Sequence, residues 1–238
     1  MKWHKNIRYH WIWLQLILLY GFLLSPNIQA ARKFAYRPPN LGTATHRTGA
    51  ALRQLKFGTF VQVLVPNHVA LTNNSQPRLY WYYVLRSRKR YIQEFQIRLK
   101  DSDKLLFKKR LPMLNQNGIE SIDLAKYGIT LKPNKIYVWQ ISLQQQRIIK
   151  YRTSRTITSK GEIKHIDTNS ISNNTAPNER PYLAASQGFW YDALDGVSQL
   201  INQGQNSSYW HNQRAILLTQ GNLKNAAKYD RKMAAKRH

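Results

Sequence analysis

Apolar and polar positions change period twice along this chain, and the changes divide it. Residues 11–24 (WIWLQLILLYGFLL) are an apolar run broken only by Gln15. From Phe60 to about Ile157, short apolar runs alternate with polar ones at a period near two. From Pro181 onward the apolar residues recur every three or four positions, the period of a helix face.

The middle region predicts strands. Residues 60–65 (FVQVLV) are a β-branched run stopped by Pro66, as suits a buried strand. A loop over 67–78 follows, with Asn73-Asn74-Ser75 as turn material. Residues 79–85 (LYWYYVL) place four aromatics in succession, which suits a strand because its side chains alternate between faces. One face of that strand belongs to the core. The other is either covered by helices, the reading preferred here, or left open as a ligand platform.

A basic turn holding Arg86, Arg88, Lys89 and Arg90 leads on as a hairpin tip. Phe95, Ile97 and Leu99 then alternate with Gln96, Arg98 and Lys100. After the turn Asp101-Ser102-Asp103, Leu105-Leu106-Phe107 returns as the second arm of a hairpin and ends at Lys108, Lys109 and Arg110. Residues 119–124, then Tyr137, Trp139, Ile141 and Leu143 in alternation, then 147–157 complete seven strands. That spacing predicts a mainly β protein with α: an antiparallel immunoglobulin- or fibronectin-III-like β-sandwich over 58–158, followed by a C-terminal helical subdomain.

Residues 159–180 mix Gly, Ser, Asn and Ala176-Pro177 without an apolar period, and read as an exposed linker. The helical subdomain, 181–238, begins with a short helix to Gln187. The next carries Trp190, Ala193, Leu194, Val197, Leu200 and Ile201 on one side. Ser207 or Ser208 is expected to cap a third helix, with Gly221 as the residue just past its end. A last helix from Asn222 sets Lys224, Lys228, Lys232 and Lys236 four apart, as a basic stripe in the tail.

The first thirty residues change the picture of location. Lys2, Lys5 and Arg8 precede the apolar run, and Ser25-Pro26 and a small residue at Ala30 follow it, the order of a secretory signal peptide. Fourteen residues make about 21 Å of helix, short of a hydrocarbon core about 30 Å thick. Residues 1–30 are therefore read as a leader, cleaved after Ala30 or kept as an anchor, and 31–57 as a basic flexible arm. Export places the protein in the periplasm, the outer envelope or the extracellular space.

Charge and cysteine content narrow the chemistry. The chain has 238 residues and a formal net charge of +26, of which the leader holds three and no acid. Such a field attracts anions. With export, the partners expected are an anionic envelope component or an acidic protein, with peripheral membrane contact as a further option. Nucleic acid is the less favoured class. There is no cysteine, which excludes disulfides, thiolate metal sites and thiol nucleophiles. Histidines and acids do not cluster at ligand spacing, so no metal site is read and no cofactor is expected.

Four segments then carry a resemblance: Leu64-Val65-Pro66; residues 78–84 (RLYWYYV); Leu131-x-Pro133-x-Lys135-x-Tyr137-x-Trp139; and residues 188–194 (GFWYDAL). In that order, over about 58–220, they resemble DUF928, a family of exported, mostly cyanobacterial proteins. The resemblance implies a β-domain followed by helices and an envelope or secreted location. It brings no assigned activity and no catalytic residues.

Asp192 and Asp195 stand beside the aromatics of that last segment, about 5–6 Å apart at Cβ on one helix face. The helix dipole favours acids in a first turn without any catalysis. The segment Trp190, Tyr191, Asp192 and Leu194 is therefore read as a helix-docking motif, and no catalytic residue is assigned. The basic groups Arg86, Arg88, Lys89, Arg90, Lys108, Lys109, Arg110, Lys224, Lys228, Lys232 and Lys236 are candidates for anion binding, or else charged turns that block edge aggregation. The expectation is a non-enzymatic exported binding or scaffolding module of the cell envelope. The alternatives are a nucleic-acid binder using the basic patches, and a hydrolase on acidic glycans using Asp192 and Asp195.

Overall fold

Alternation between faces accounts for the strands seen in the computed structural model, which describes residues 33–40, 58–85, 91–113, 116–145, 156–168 and 174–236. Among these, eight strands precede four helices. The strands are β1 (Phe60–Val63), β2 (Ala70–Thr72), β3 (Arg78–Val84), β4 (Tyr91–Leu99), β5 (Leu105–Leu111), β6 (Gly118–Asp123), β7 (Ile136–Gln145) and β8 (Thr156–His165). The helices are α1 (Arg180–Ser186), α2 (Trp190–Asn202), α3 (Ser207–Gln220) and α4 (Lys224–Ala234).

The strands make two sheets, one of three in the order β1-β3-β6 and one of five in the order β2-β8-β7-β4-β5. All pairings are antiparallel except β2 with β8. The protein is thus mixed α/β rather than mainly β.

The aromatic strand β3 lies at the centre of the small sheet, and Tyr80, Trp81, Tyr82 and Tyr83 are all buried. Trp81 faces the large sheet, where its indole donates to Gln93 on β4 at 3.2 Å. On the opposite face the Tyr80 hydroxyl donates to Asp195 on α2 at 2.6 Å. The Tyr82 ring packs on Tyr229 of α4, with 5.3 Å between centroids. Helices cover this face, and it is not an open ligand platform.

β3 and β4 are neighbours in sequence but are not paired with each other. β3 pairs with β1 and β6 while β4 pairs with β5 and β7, so these two strands belong to different sheets. Arg86, Arg88, Lys89 and Arg90, expected at a hairpin tip, lie outside the described residues. The expected loop over 67–78 also contains β2.

The last strand, expected at 147–157, is β8, so the linker expected from 159 does not begin until after His165; residues 146–155 lie outside the description. The reason is steric. The inward residues of β8 include Ser159 and Gly161, because β1 lies close over them. Ser159 Oγ accepts the Val63 amide at 3.0 Å, and a Cβ on Gly161 would come within 2.7 Å of a Val65 methyl. Small and polar residues on a buried face hide the strand from a hydrophobicity pattern. Gly161→Ala is expected to destabilise by about 1–3 kcal/mol through overpacking. A urea midpoint equal to that of the wild type would contradict the close approach.

The basic arm is corrected in part. Phe34 is buried and stacks on Tyr182 with 4.4 Å between centroids. The Gln220 amide donates to the Phe34 carbonyl at 2.7 Å and accepts the Tyr36 amide at 2.8 Å. The Arg37 amide donates to the Ala185 carbonyl at 3.1 Å. Two aromatics and a side chain that mimics backbone pairing anchor residues 33–40; residues 41–57 lie outside the description, as does the leader. The helices are not set apart as a subdomain, since Lys33–His238 forms one compact unit. No helix among the described residues is long and apolar enough to cross a membrane.

Candidate functional site

The segment 188–195 is legible residue by residue in the structure. Gly188 joins α1 to α2 at φ 85°, left-handed backbone that favours glycine. A Cβ there would also lie 2.9 Å from the Arg37 carbonyl oxygen. The helix that follows amphipathically buries Trp190, Tyr191, Ala193, Leu194 and Val197.

Each polar atom of this helix start reaches a different strand. Trp190 Nε1 donates to the Leu64 carbonyl just beyond β1 at 2.8 Å. The Tyr191 hydroxyl accepts from Trp139 Nε1 on β7 at 2.8 Å and donates to the Glu162 carbonyl on β8 at 3.0 Å. Asp192 Oδ2 accepts the Asn73 amide, next to β2, at 3.1 Å. Asp195 Oδ1 accepts from Tyr80 at 2.6 Å and from Arg78 at 3.3 Å, both on β3. Arg78 also holds Asp123 of β6 at 2.6 Å. One helical turn and a half therefore bonds to elements of both sheets.

Gly221 completes the packing of Trp190. Its backbone has φ −77°, not the left-handed value expected of a glycine just past a helix. A Cβ there would lie 2.4 Å from the edge of the Trp190 ring, so the glycine gives room to the indole. Ser207 and Ser208 do not cap α3 either: Asn206 holds the N-cap, and Ser208 Oγ donates to the Ala234 carbonyl at the end of α4 at 2.6 Å.

Asp192 and Asp195 line a cleft of about 620 Å³ together with Asn73, Asn74, Arg180 and Gln203. Burial pushes the Asp192 carboxyl up to about 7, against hydrogen bonds from the Asn73 backbone and the Thr72 side chain that favour its ionised form. Folding thus favours the neutral acid. Its contribution to stability is complete below the unfolded carboxylate pKa of about 4 and is lost as pH rises through the folded value. Asp192→Asn is expected to lack that decline, gaining on the wild type in unfolding free energy between about pH 4 and pH 7. Urea titrations across the window check this; a difference independent of pH would contradict it.

The other predicted basic groups are distributed rather than gathered. Lys108 Nζ lies 3.0 Å from Glu94 Oε2. Lys109 sits 5.6 Å from the centroid of the Tyr127 ring. Strand alternation sends Lys109 to the face opposite Lys108 and Arg110, so the three do not form one patch. On α4, Lys224, Lys228 and Lys232 are exposed, with Lys236 exposed just beyond the helix end, while Ala226, Ala227 and Asp230 are buried on the other side.

One buried network was not read from the sequence. Asp230 on α4 accepts two bonds from Arg214 on α3, at 2.7 and 2.8 Å, and lies 2.8 Å from His211 Nδ1. Arg214 also donates to Ser198 on α2 at 3.0 Å, so three helices meet there. Arg214 and Asp230 are 16 residues apart on different helices, and nothing in a single helix pattern pairs them.

Fold and site together define a mixed α/β protein, with two sheets and four C-terminal helices, in which the helix starting at Trp190 bonds to both sheets. The chain belongs to DUF928, Domain of Unknown Function, whose family model matches residues 47–230. No curated protein matches it. Among solved structures it is similar to the CARDB domain of the PF1109 protein in complex with di-metal ions from Pyrococcus furiosus, at 8% identity and a TM-score of 0.25, covering 58% of this chain and 99% of that one. It is also similar to a multi-domain immunophilin from Arabidopsis thaliana, at 9% identity and a TM-score of 0.18, covering 84% of this chain and 99% of that one.

Proposed function

We propose that this chain is a non-enzymatic, exported binding or scaffolding module of the cell envelope that contacts anionic partners. The observation that carries the reading is the stripe Lys224, Lys228, Lys232 and Lys236: all four are exposed, and among the described residues none has an acidic partner. Their helix has its small apolar face turned into the protein, where Ala226 and Ala227 are buried. It has no second apolar face for insertion into a bilayer, so attraction to an anionic surface is peripheral. The net charge of +26 and the leader-like first thirty residues support the same reading. Its fold counterpart is that the two sheets form an immunoglobulin- or fibronectin-III-like sandwich, supported by the burial of Trp81 and Trp139 and by the approach of β1 to β8.

Changing the four lysines to glutamine is expected to weaken binding to vesicles containing an anionic lipid by about 1 kcal/mol per residue. Co-sedimentation at two salt concentrations measures it. Unchanged binding would overturn the reading, and tighter binding to DNA than to any vesicle would favour the nucleic-acid alternative.

A second reading rests on the cleft. Asp192 is neutral-favouring and Asp195 is bonded by Arg78 and Tyr80, so two acids with different environments face one space. In a hydrolase on acidic glycans, Asp192 would donate the proton and Asp195 would be the second carboxylate. Release of reducing ends from an acidic polysaccharide, abolished in Asp192→Asn, would establish it; no release by the wild type would dismiss it.

A further inference from the structure

The outward face of the five-stranded sheet carries a second polar site. Register sets its side chains in rows across the strands. Lys108, Gln96, Gln140 and Lys160 share one row, because Gln96 pairs with both Lys108 and Gln140, and Gln140 pairs with Lys160. Arg98 and Val138 occupy the next row. All of these except Lys108, together with Lys100 and Asp103, line a cavity of about 230 Å³.

Most charges around it are matched. Arg98 lies 3.2 Å from Asp103 and donates to Gln96 Oε1 at 2.9 Å. Lys100 lies 3.0 Å from the buried Glu162 carboxylate, and Lys108 lies 3.0 Å from Glu94. Lys160 differs. It is half-buried, and among the described residues it has neither a carboxylate nor a hydrogen-bond acceptor. The amide of Gln140 beside it is likewise unpartnered among those residues. Cross-strand partners of this kind stand about 4.5–5.5 Å apart at Cβ, close enough for both to reach one ion. Four cations face three carboxylates, which leaves one positive charge uncompensated in a half-buried place, an unfavourable state that an anion relieves.

We propose that this cavity binds a tetrahedral oxyanion, with Lys160 Nζ as its ion-pair partner and the Gln140 amide as a second donor. The space holds several groups of water size, about 30 Å³ each, which is room for such an ion and the first atoms of an ester. The site gives the anionic-partner reading a defined pocket but does not depend on the lysines of α4.

Calorimetric titration of the full chain with inorganic phosphate, sulfate and glucose 6-phosphate tests this. Saturable one-to-one binding is expected. It should weaken about tenfold in Lys160→Gln, as loss of a charge-assisted bond implies, fall in Gln140→Ala, and be largely kept in Lys160→Arg. Tighter binding of glucose 6-phosphate than of inorganic phosphate assigns the site to an esterified group; equal binding assigns it to the free ion. The variant with Lys224, Lys228, Lys232 and Lys236 changed to glutamine should bind as the wild type does, even if it no longer binds vesicles. The proposal is overturned if the wild type shows no saturable binding, or if folded Lys160→Gln and Gln140→Ala both bind normally. It is also overturned if the α4 variant loses as much as Lys160→Gln, since the attraction is then diffuse.

Discussion

Trp190→Ala is expected to lower the unfolding free energy by about 3–5 kcal/mol, the range for emptying a buried aromatic site. The indole is fully buried, with the Tyr36 ring edge-on at 5.0 Å between centroids and Gly221 against its far edge. Alanine would leave a cavity and would strand the buried Leu64 carbonyl, whose bond to Nε1 is 2.8 Å. Trp190→Phe keeps most of the ring and loses only that bond, so a smaller loss of about 1–3 kcal/mol is expected. Urea unfolding followed by circular dichroism measures both. A Trp190→Ala midpoint near that of the wild type would mean that the ring does not anchor the helices.

The second large effect concerns Asp230. Asp230→Ala removes the only carboxylate that the described residues place on the buried Arg214, leaving a guanidinium without its counter-charge. Loss of one partner of a buried pair costs about 3–5 kcal/mol. Asp230→Leu combined with Arg214→Met is expected to recover much of that, because the residual cost lies in the orphaned charge. The pH dependence has the opposite sign to that of Asp192. Burial alone would raise the Asp230 carboxyl, but Arg214 and His211 outweigh it and hold it below the usual carboxylate range. Its stabilisation is present above the unfolded carboxylate value and is lost as pH falls through the lower folded one. Asp230→Ala should therefore unfold less steeply with acid than the wild type, which thermal melts at falling pH would show.

The contrast between the two acids also shows what a single sequence discloses. Asp192 sits in the first turn of a helix, where the dipole explains an acid without any partner. Its actual bonds include one from the Asn73 amide, 119 residues away, and no local pattern indicates that. Trp190, Ala193, Leu194 and Val197 were legible as a buried face because helical spacing repeats within a few residues. Phe95, Ile97, Trp139 and Ile141 were legible for the same reason at period two; they are the fully buried floor of the large sheet.

The misses arise where tertiary packing sets the residue type. Ser159 and Gly161 are small because β1 lies over them, and this reads as linker composition. Phe34 and Tyr36 are two apart in a basic stretch, too little for a period, yet their rings meet Tyr182 and Trp190. β3 and β4 are separated by a short basic segment that reads as a hairpin, while their hydrogen-bonding partners lie in different sheets. Gly221 was read through helix-end chemistry, when the nearby indole decides it. Lys160 and Gln140 gave no signal at all, since each is one polar position in an ordinary alternation.

If the eight residues from Gly188 to Asp195 join the helices to both sheets, neither part opens alone. Native-state hydrogen exchange reads this directly. The slowest amides of β3, β7 and β8 and those of α2 and α3 should report one common opening free energy, and Trp190→Ala should lower both together. Helix amides that exchange through an opening several kcal/mol cheaper than the strands, with strand protection unchanged in Trp190→Ala, would contradict it.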